Sequence, residues 1–108
     1  MKKTLRQICE DNRVSRRAVQ GYESMRLVCA ADKNKYGHLL YDETAEQRIQ
    51  LIHFYQRIGF SLKEIQMILN LPNQEKKQIL CKRMDELKRR QGEMSDLIKC
   101  LEHHIKTM

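Results

Sequence analysis

The sequence predicts a mainly α chain: a winged helix-turn-helix head, a helix pair behind it, and one long C-terminal helix. Three observations carry that expectation. The first is a set of helix-start patterns, Thr4-Leu5-Arg6-Gln7, Thr44-Ala45-Glu46-Gln47 and Ser61-Leu62-Lys63-Glu64. Each is a capping box, in which a hydroxyl and a longer side chain satisfy free backbone N–H groups reciprocally. The second is a pair of short apolar helical faces joined by a three-residue turn near the N-terminus. The third is a proline-free stretch after Pro72 whose apolar residues recur at sevens.

In the first element Leu5, Ile8 and Cys9 share one helical face, and the helix ends near Asp11. Asn12-Arg13-Val14 reads as a turn. Ser15 is a good cap for a second helix from Arg16 to about Glu23, with Val19 and Tyr22 facing inward. That helix opens on Arg16 and Arg17, the end from which a recognition helix reaches base edges and phosphates. Leu27-Val28 and Leu39-Leu40-Tyr41 are then short apolar patches on either side of Asp32-Lys33-Asn34-Lys35-Tyr36-Gly37-His38. Gly37 tolerates positive φ, so this segment reads as a two-stranded ribbon, a wing with a basic tip. A third helix starts after Asp42 or Thr44, buries Ala45, Ile49, Ile52 and Tyr55, and stops at Gly59. Phe60 and Ile65 fit a hydrophobic staple around the next start. Ile65, Ile68 and Leu69 form the inner face of the fourth helix, and Pro72 breaks the chain.

From about Gln74 to Ile105 the period changes. Leu80, Leu87, Met94, Leu101 and Met108 are seven apart, and Met84, Ile98 and Ile105 hold the other seam position with Lys77 and Gln91 as its polar members. A helix of some 32 residues is roughly 48 Å long, too long to bury its whole seam on so small a head. A second copy is the simplest partner. The expected dimerisation residues are Leu80, Met84, Leu87, Gln91, Met94, Ile98, Leu101 and Ile105. Gly92 costs about 1 kcal/mol in mid-helix relative to alanine; with Gln91 it marks the expected dimer centre. The expected organisation is residues 1–72 as the DNA-binding domain and 73–108 as the dimerisation helix.

Composition narrows the function. The 108 residues are one domain's length, with 21 Lys+Arg against 14 Asp+Glu and a formal charge of +7. Residues 1–41 hold nine basic and four acidic side chains, a net of +5, and residues 42–108 hold twelve and ten, a net of +2. The excess belongs to the head, which points to a polyanion. No apolar run approaches the roughly 18 residues of a membrane span, and Met1-Lys2-Lys3 lacks a signal peptide's apolar stretch. A cytoplasmic protein with free thiols is therefore expected. The four cysteines at 9, 29, 81 and 100 contain no CxxC pair, which excludes a zinc ribbon. Cys9 and Cys29 read as small core residues. No Ser/His/Asp or paired-carboxylate constellation appears, so neither an enzyme nor a cofactor is expected.

The whole order resembles the MerR family of bacterial transcription regulators. The matching residues are Val14-Ser15-Arg16-Arg17-Ala18-Val19-Gln20-Gly21-Tyr22-Glu23, Leu27, Gly37 to Tyr41, and Ile58-Gly59-Phe60-Ser61-Leu62-Lys63-Glu64-Ile65. The family's usual strings are V-S-x-R-T-L-R-Y-Y-E, G-L, G-Y-R-x-Y and L-G-F-S-L-x-E-I. Four positions depart. The second recognition-helix arginine is Gln20, the first aromatic of the tyrosine pair is Gly21, the glycine of G-L is Arg26, and the Y-R of the wing is His38-Leu39. The resemblance implies a homodimer whose long helices pair as an antiparallel coiled coil. It also implies binding to a pseudo-palindromic promoter operator of double-stranded DNA, distortion of that duplex, and an indirect effect on RNA polymerase. The expected DNA-binding residues are Ser15, Arg16, Arg17, Gln20, Tyr22, Arg26, Lys33, Lys35 and His38, with Ser15 and Tyr22 on phosphate. After these elements no room is expected for a separate sensor domain. The alternative is the family's chaperone-modulator type, which uses this scaffold to bind protein instead of DNA.

Cys100, His103 and His104 lie at i, i+3 and i+4, a chelating spacing for zinc or copper. In an antiparallel dimer centred near residues 92–93, Cys81 comes level with the partner's His104. Against a site, Cys81 is an e position while Cys100 and His104 are c and g, which places them on opposite flanks. The expectation is no metal, with Cys81, Cys100, His103 and His104 as the candidate ligands.

Overall fold

The computed structural model describes residues 1–108, which divide into two units, Met1–Ile68 and Leu69–Met108. The first unit opens with a two-residue strand β1 (Lys3–Thr4) and helix α1 (Leu5–Asn12). Thr4 and Gln7 form the expected capping box, and Arg13 ends the helix in the left-handed region at φ 51°. Helix α2 (Arg16–Ser24) begins on Ser15, whose hydroxyl oxygen accepts the Ala18 N–H at 3.0 Å. Ile8, Val19 and Tyr22 are the inward side chains of this pair, and Val14 of the turn is buried with them.

The wing differs from the sequence reading in detail. Leu27 and Val28 are buried but form no strand. The paired strands are β2 (Asp32–Lys33) and β3 (Leu39–Tyr41), with Lys33 opposite Leu39. Strand β1 adds antiparallel to the other edge of β3, pairing Lys3 with Tyr41, so the sheet runs β1-β3-β2. The sequence did not predict β1, because two residues carry no readable alternation. Asn34 organises the tip: its side-chain oxygen accepts the N–H groups of Tyr36 and His38 at 2.9 and 3.0 Å. Gly37 takes φ 82° there, a conformation that disfavours any side chain.

Helix α3 (Glu43–Arg57) is capped by Asp42, which accepts the Ala45 N–H at 2.8 Å. Of the two starts the sequence offered, Asp42 prevails and the Thr44 box does not form: Asp42 has the extended backbone of a cap, while Thr44 already lies inside the helix. Ala45, Ile49, Ile52 and Tyr55 are buried as spaced. Gly59 turns the chain at φ 105°, and Tyr55 meets Phe60 edge-on at 6.3 Å. Helix α4 (Leu62–Leu69) starts on the Ser61/Glu64 box, whose two bonds measure 2.9 and 3.2 Å, and buries Ile65 and Ile68. Full burial of each such aliphatic side chain contributes about 1.5–3 kcal/mol relative to exposure, so Ile8, Ile49, Ile52 and Ile65 anchor the head.

The second unit is dominated by α5 (Asn73–Lys106), 34 residues long with none buried. Pro72 precedes it with an extended backbone, and its carbonyl accepts the Lys76 N–H at 3.0 Å. No helix of the chain is long and apolar enough to cross a membrane.

Candidate nucleic-acid interface

Ion pairing decides which of the head's cations are available. Lys2 pairs with Asp32, Lys3 with Asp11 and Glu46, and Arg6 with Glu10, all between 2.8 and 3.3 Å. The Tyr41 hydroxyl donates to Glu23. All four carboxylates of residues 1–41 are thus engaged. Arg13, Arg16, Arg17, Arg26, Lys33 and Lys35 are exposed and have no carboxylate partner. The uncompensated charge is that of the recognition helix, its flanking turns and the wing.

Ser15, Arg16, Arg17 and Gln20 are exposed along the outer side of α2. Because Ser15 caps by accepting, its O–H remains a donor. Lys33 lies on β2 and Lys35 beside the tip, where its ammonium sits 5.1 Å from the Tyr36 ring centre. His38 is exposed, and its ring stands 6.4 Å from that of Tyr36. Arg26 lies in the left-handed region at φ 59°. That backbone explains why the family's usual residue here is glycine: an L side chain costs roughly 1–2 kcal/mol in this region.

Tyr22 faces inward, as its helical spacing predicts, and its hydroxyl is taken by α3 instead of standing free for a phosphate. The side chain expected on a phosphate is 0% exposed, and its hydroxyl donates to Gln56 Oε1 at 2.6 Å. Burial also pushes its pKa up. The helical spacing that turns Val19 into the core turns Tyr22 there too, and α3 supplies a partner for the hydroxyl. Cys29 is a correction, being exposed instead of in the core. It lines an open groove of about 480 Å³ with Leu27, Ala45 and Arg48. Cys9 is half-buried, and burial raises its thiol pKa.

Sequence reasoning missed Arg6. A cleft of about 430 Å³ brings Arg6 of α1 together with Arg16 of α2 and with Gly37 and His38 of the wing. No local signal links α1 to the wing. The missed strand β1, pairing with β3, is what brings them near. A second missed feature is a polar network under α1. Glu46 accepts from Lys3 and from Asn12, both at 2.9 Å, which lowers the Glu46 pKa, Asn12 being the larger cause. The Lys3 pKa is raised, first by its bond to Asp11 and then by Glu46.

On α5, Met84, Leu87, Met94, Ile98, Leu101 and Ile105 are exposed, from 38% at Leu87 to 59% at Met94 and Ile105. Leu80 is half-buried and Gln91 exposed. Cys81, Cys100, His103 and His104 are exposed on the same helix. No three His, Cys, Asp or Glu side chains of the chain converge to hold a metal ion.

Two family descriptions match the chain: "MerR HTH family regulatory protein" over residues 3–71 and "MerR, DNA binding" over residues 46–104. The transcriptional activator mta of Bacillus subtilis (strain 168) is 29% identical over 97% of the chain, which covers 41% of that protein. The chain thus spans about two fifths, or less, of the curated relatives it matches. Among solved structures, the N-terminal part of the Bacillus subtilis multidrug transporter activator is 27% identical with a TM-score of 0.69, over 95% of this chain and 97% of that one. HiNmlR, a MerR family regulator lacking the sensor domain and bound to promoter DNA, shares the fold. Its TM-score is 0.77 at 18% identity, over 92% of this chain and 80% of that one.

Proposed function

The chain belongs to the MerR family of helix-turn-helix regulatory proteins, and from that premise we propose that it is a homodimeric transcription regulator. It binds a pseudo-palindromic promoter operator and distorts it. The observation that carries this reading is the unpaired cation set on α2 and the wing, where the four carboxylates of residues 1–41 are all engaged elsewhere. Arg16 and Arg17 read base edges or phosphates from the start of the recognition helix. Ser15 donates to phosphate, Gln20 lies one turn further along, and Arg26, Lys33, Lys35 and His38 hold the flanking backbone.

The seam of α5 pairs antiparallel with that of a second copy, which buries Leu80, Met84, Leu87, Met94, Ile98, Leu101 and Ile105, with Gln91 near the two-fold axis. Two heads then face successive major-groove half-sites. Contacts at both ends stabilise a bent centre, at a deformation cost of order 1–6 kcal/mol for a 40–90° bend. RNA polymerase responds to the altered spacing of promoter elements without touching this chain. The working compartment is the cytoplasm, and the chain catalyses no reaction. The candidate thiols and imidazoles of α5 stay metal-free in this reading.

One departure favours the chaperone-modulator alternative: Leu39 stands where the family's wing carries arginine. A gel shift against the gene's own upstream region separates the two. Wild type shifts the fragment, and Arg17→Ala weakens it about tenfold or more, since a bidentate base contact contributes about 1–3 kcal/mol. Undiminished binding by Arg17→Ala removes that residue from the interface. No shift by wild type supports the protein-binding alternative.

A further inference from the structure

We propose that the cleft between α1, the first turn of α2 and the wing seats one backbone phosphate of the duplex, and that His38 links its occupancy to a proton. The inference rests on the DNA-binding reading. It adds to that reading a site, a residue from α1 and a pH dependence.

The cleft is concave and cationic. Leu5 and Leu39 supply its half-buried carbon floor, and Arg6, Arg16 and His38 its polar lining. Each of the three polar groups comes from a different element, so the cleft exists only in the folded head. A recognition helix entering a major groove with a wing beside it must straddle the sugar-phosphate strand that bounds the groove. That strand crosses between α2 and the wing, where Arg16 and His38 stand. The two guanidiniums present fixed forks suited to phosphate oxygens, and the imidazole adds a donor.

The groups facing His38 are nearly all positive. Arg6 comes from α1 and Arg16 from α2, while Lys35 and Tyr36 belong to its own hairpin. No carboxylate lines the cleft, and Arg6 is held by Glu10 at 3.1 Å on an exposed surface. In the empty cleft a protonated imidazole meets like charge. A phosphate reverses that balance, so binding favours the protonated form and protonation favours binding. Imidazole is the one lining group that changes charge between about pH 5 and 8. Affinity is therefore highest at low pH and falls as pH rises through the titration of the bound form. The Arg6–Glu10 pair is solvent-exposed and weak, so a phosphate can draw Arg6 away from it.

The test is fluorescence anisotropy with the full chain and a labelled duplex of about three helical turns. The duplex is selected by the chain from a random pool, and ionic strength is held constant. Wild-type affinity falls at least about fivefold between about pH 6 and pH 8, because a protonated imidazole in each of the two heads favours the phosphate. His38→Gln binds alike at both pH values, at the weaker wild-type level. His38→Lys binds alike at both, near the tighter level. Arg6→Gln weakens binding at both and reduces the magnitude of the log–log salt slope by about 1.8, the signature of one lost phosphate contact in each of the two heads. Both positions are exposed, and thermal melts confirm that the variants fold. A flat wild-type profile, or a pH slope that survives in His38→Gln, overturns the proton link. An unchanged salt slope in Arg6→Gln removes α1 from the seat. Absence of duplex binding at every pH is a different result: it overturns the DNA-binding reading itself, and the seat with it.

Discussion

Tyr22→Phe separates a core role from a DNA-contact role. The ring is fully buried, and the hydroxyl donates to Gln56 Oε1 at 2.6 Å on half-buried ground between α2 and α3. Phenylalanine keeps the ring and deletes only this bond. A neutral hydrogen bond contributes about 0.5–1.5 kcal/mol net, so urea unfolding registers a loss of about 1 kcal/mol. For a domain of about this size that loss lowers Tm by roughly 4–8 °C. Most molecules stay folded at 20 °C or so under a loss of that size, and duplex affinity there changes by less than about twofold. Had the hydroxyl bound a phosphate, the lost charge-assisted bond would be worth about 1.5–3 kcal/mol, and affinity would fall at least tenfold. A double-mutant cycle with Gln56→Ala adds a second check, because the two losses couple only if the residues interact. Tenfold weaker duplex binding by Tyr22→Phe with unchanged stability refutes the structural assignment.

Arg26→Gly relieves a left-handed backbone at φ 59°; it raises stability by about 1 kcal/mol in urea titration while lowering duplex affinity through the lost charge, and a destabilised variant contradicts this. Glu46 has a lowered pKa, so its stabilisation is full above the unfolded carboxylate value and is lost as pH falls through the folded one. Glu46→Gln is therefore less stable than wild type at neutral pH and loses less on acidification, read from urea midpoints; equal acid sensitivity sinks the assignment. Timed thiol labelling modifies exposed Cys29 before half-buried Cys9, whose pKa burial raises, and the reverse order counts against the placement of both. Ile98→Asp puts a charge into both copies of the α5 seam and removes about 1.5–3 kcal/mol of burial per chain. Light scattering then reports monomer where wild type is dimeric, and a persistent dimer excludes this seam.

Much of the head was readable because its signals are local. The Thr4 and Ser61 boxes, the Ser15 cap, the 45/49/52/55 spacing and the Pro72 break each need only a few adjacent residues. What failed needed the third dimension. Strand β1 has two residues and exists only because β3 offers an edge. Asp42 and Thr44 are both good caps, and the choice between them depends on where β3 ends. Tyr22 looks amphipathic in sequence, and only Gln56, 34 residues away, shows where its hydroxyl goes. Cys29 is small and flanked by apolar residues, yet it lies on the open side of its segment. Arg6 carries no local signal of a DNA contact, because only the sheet brings α1 to the cleft it shares with His38.

The central claim is that two chains join through α5 and place two heads on one duplex. Light scattering of the full chain mixed with a selected duplex tests it directly. The account predicts a complex of two chains per duplex, lost together with the free dimer in Ile98→Asp. One chain per duplex, or a stable dimer that binds no duplex, contradicts it.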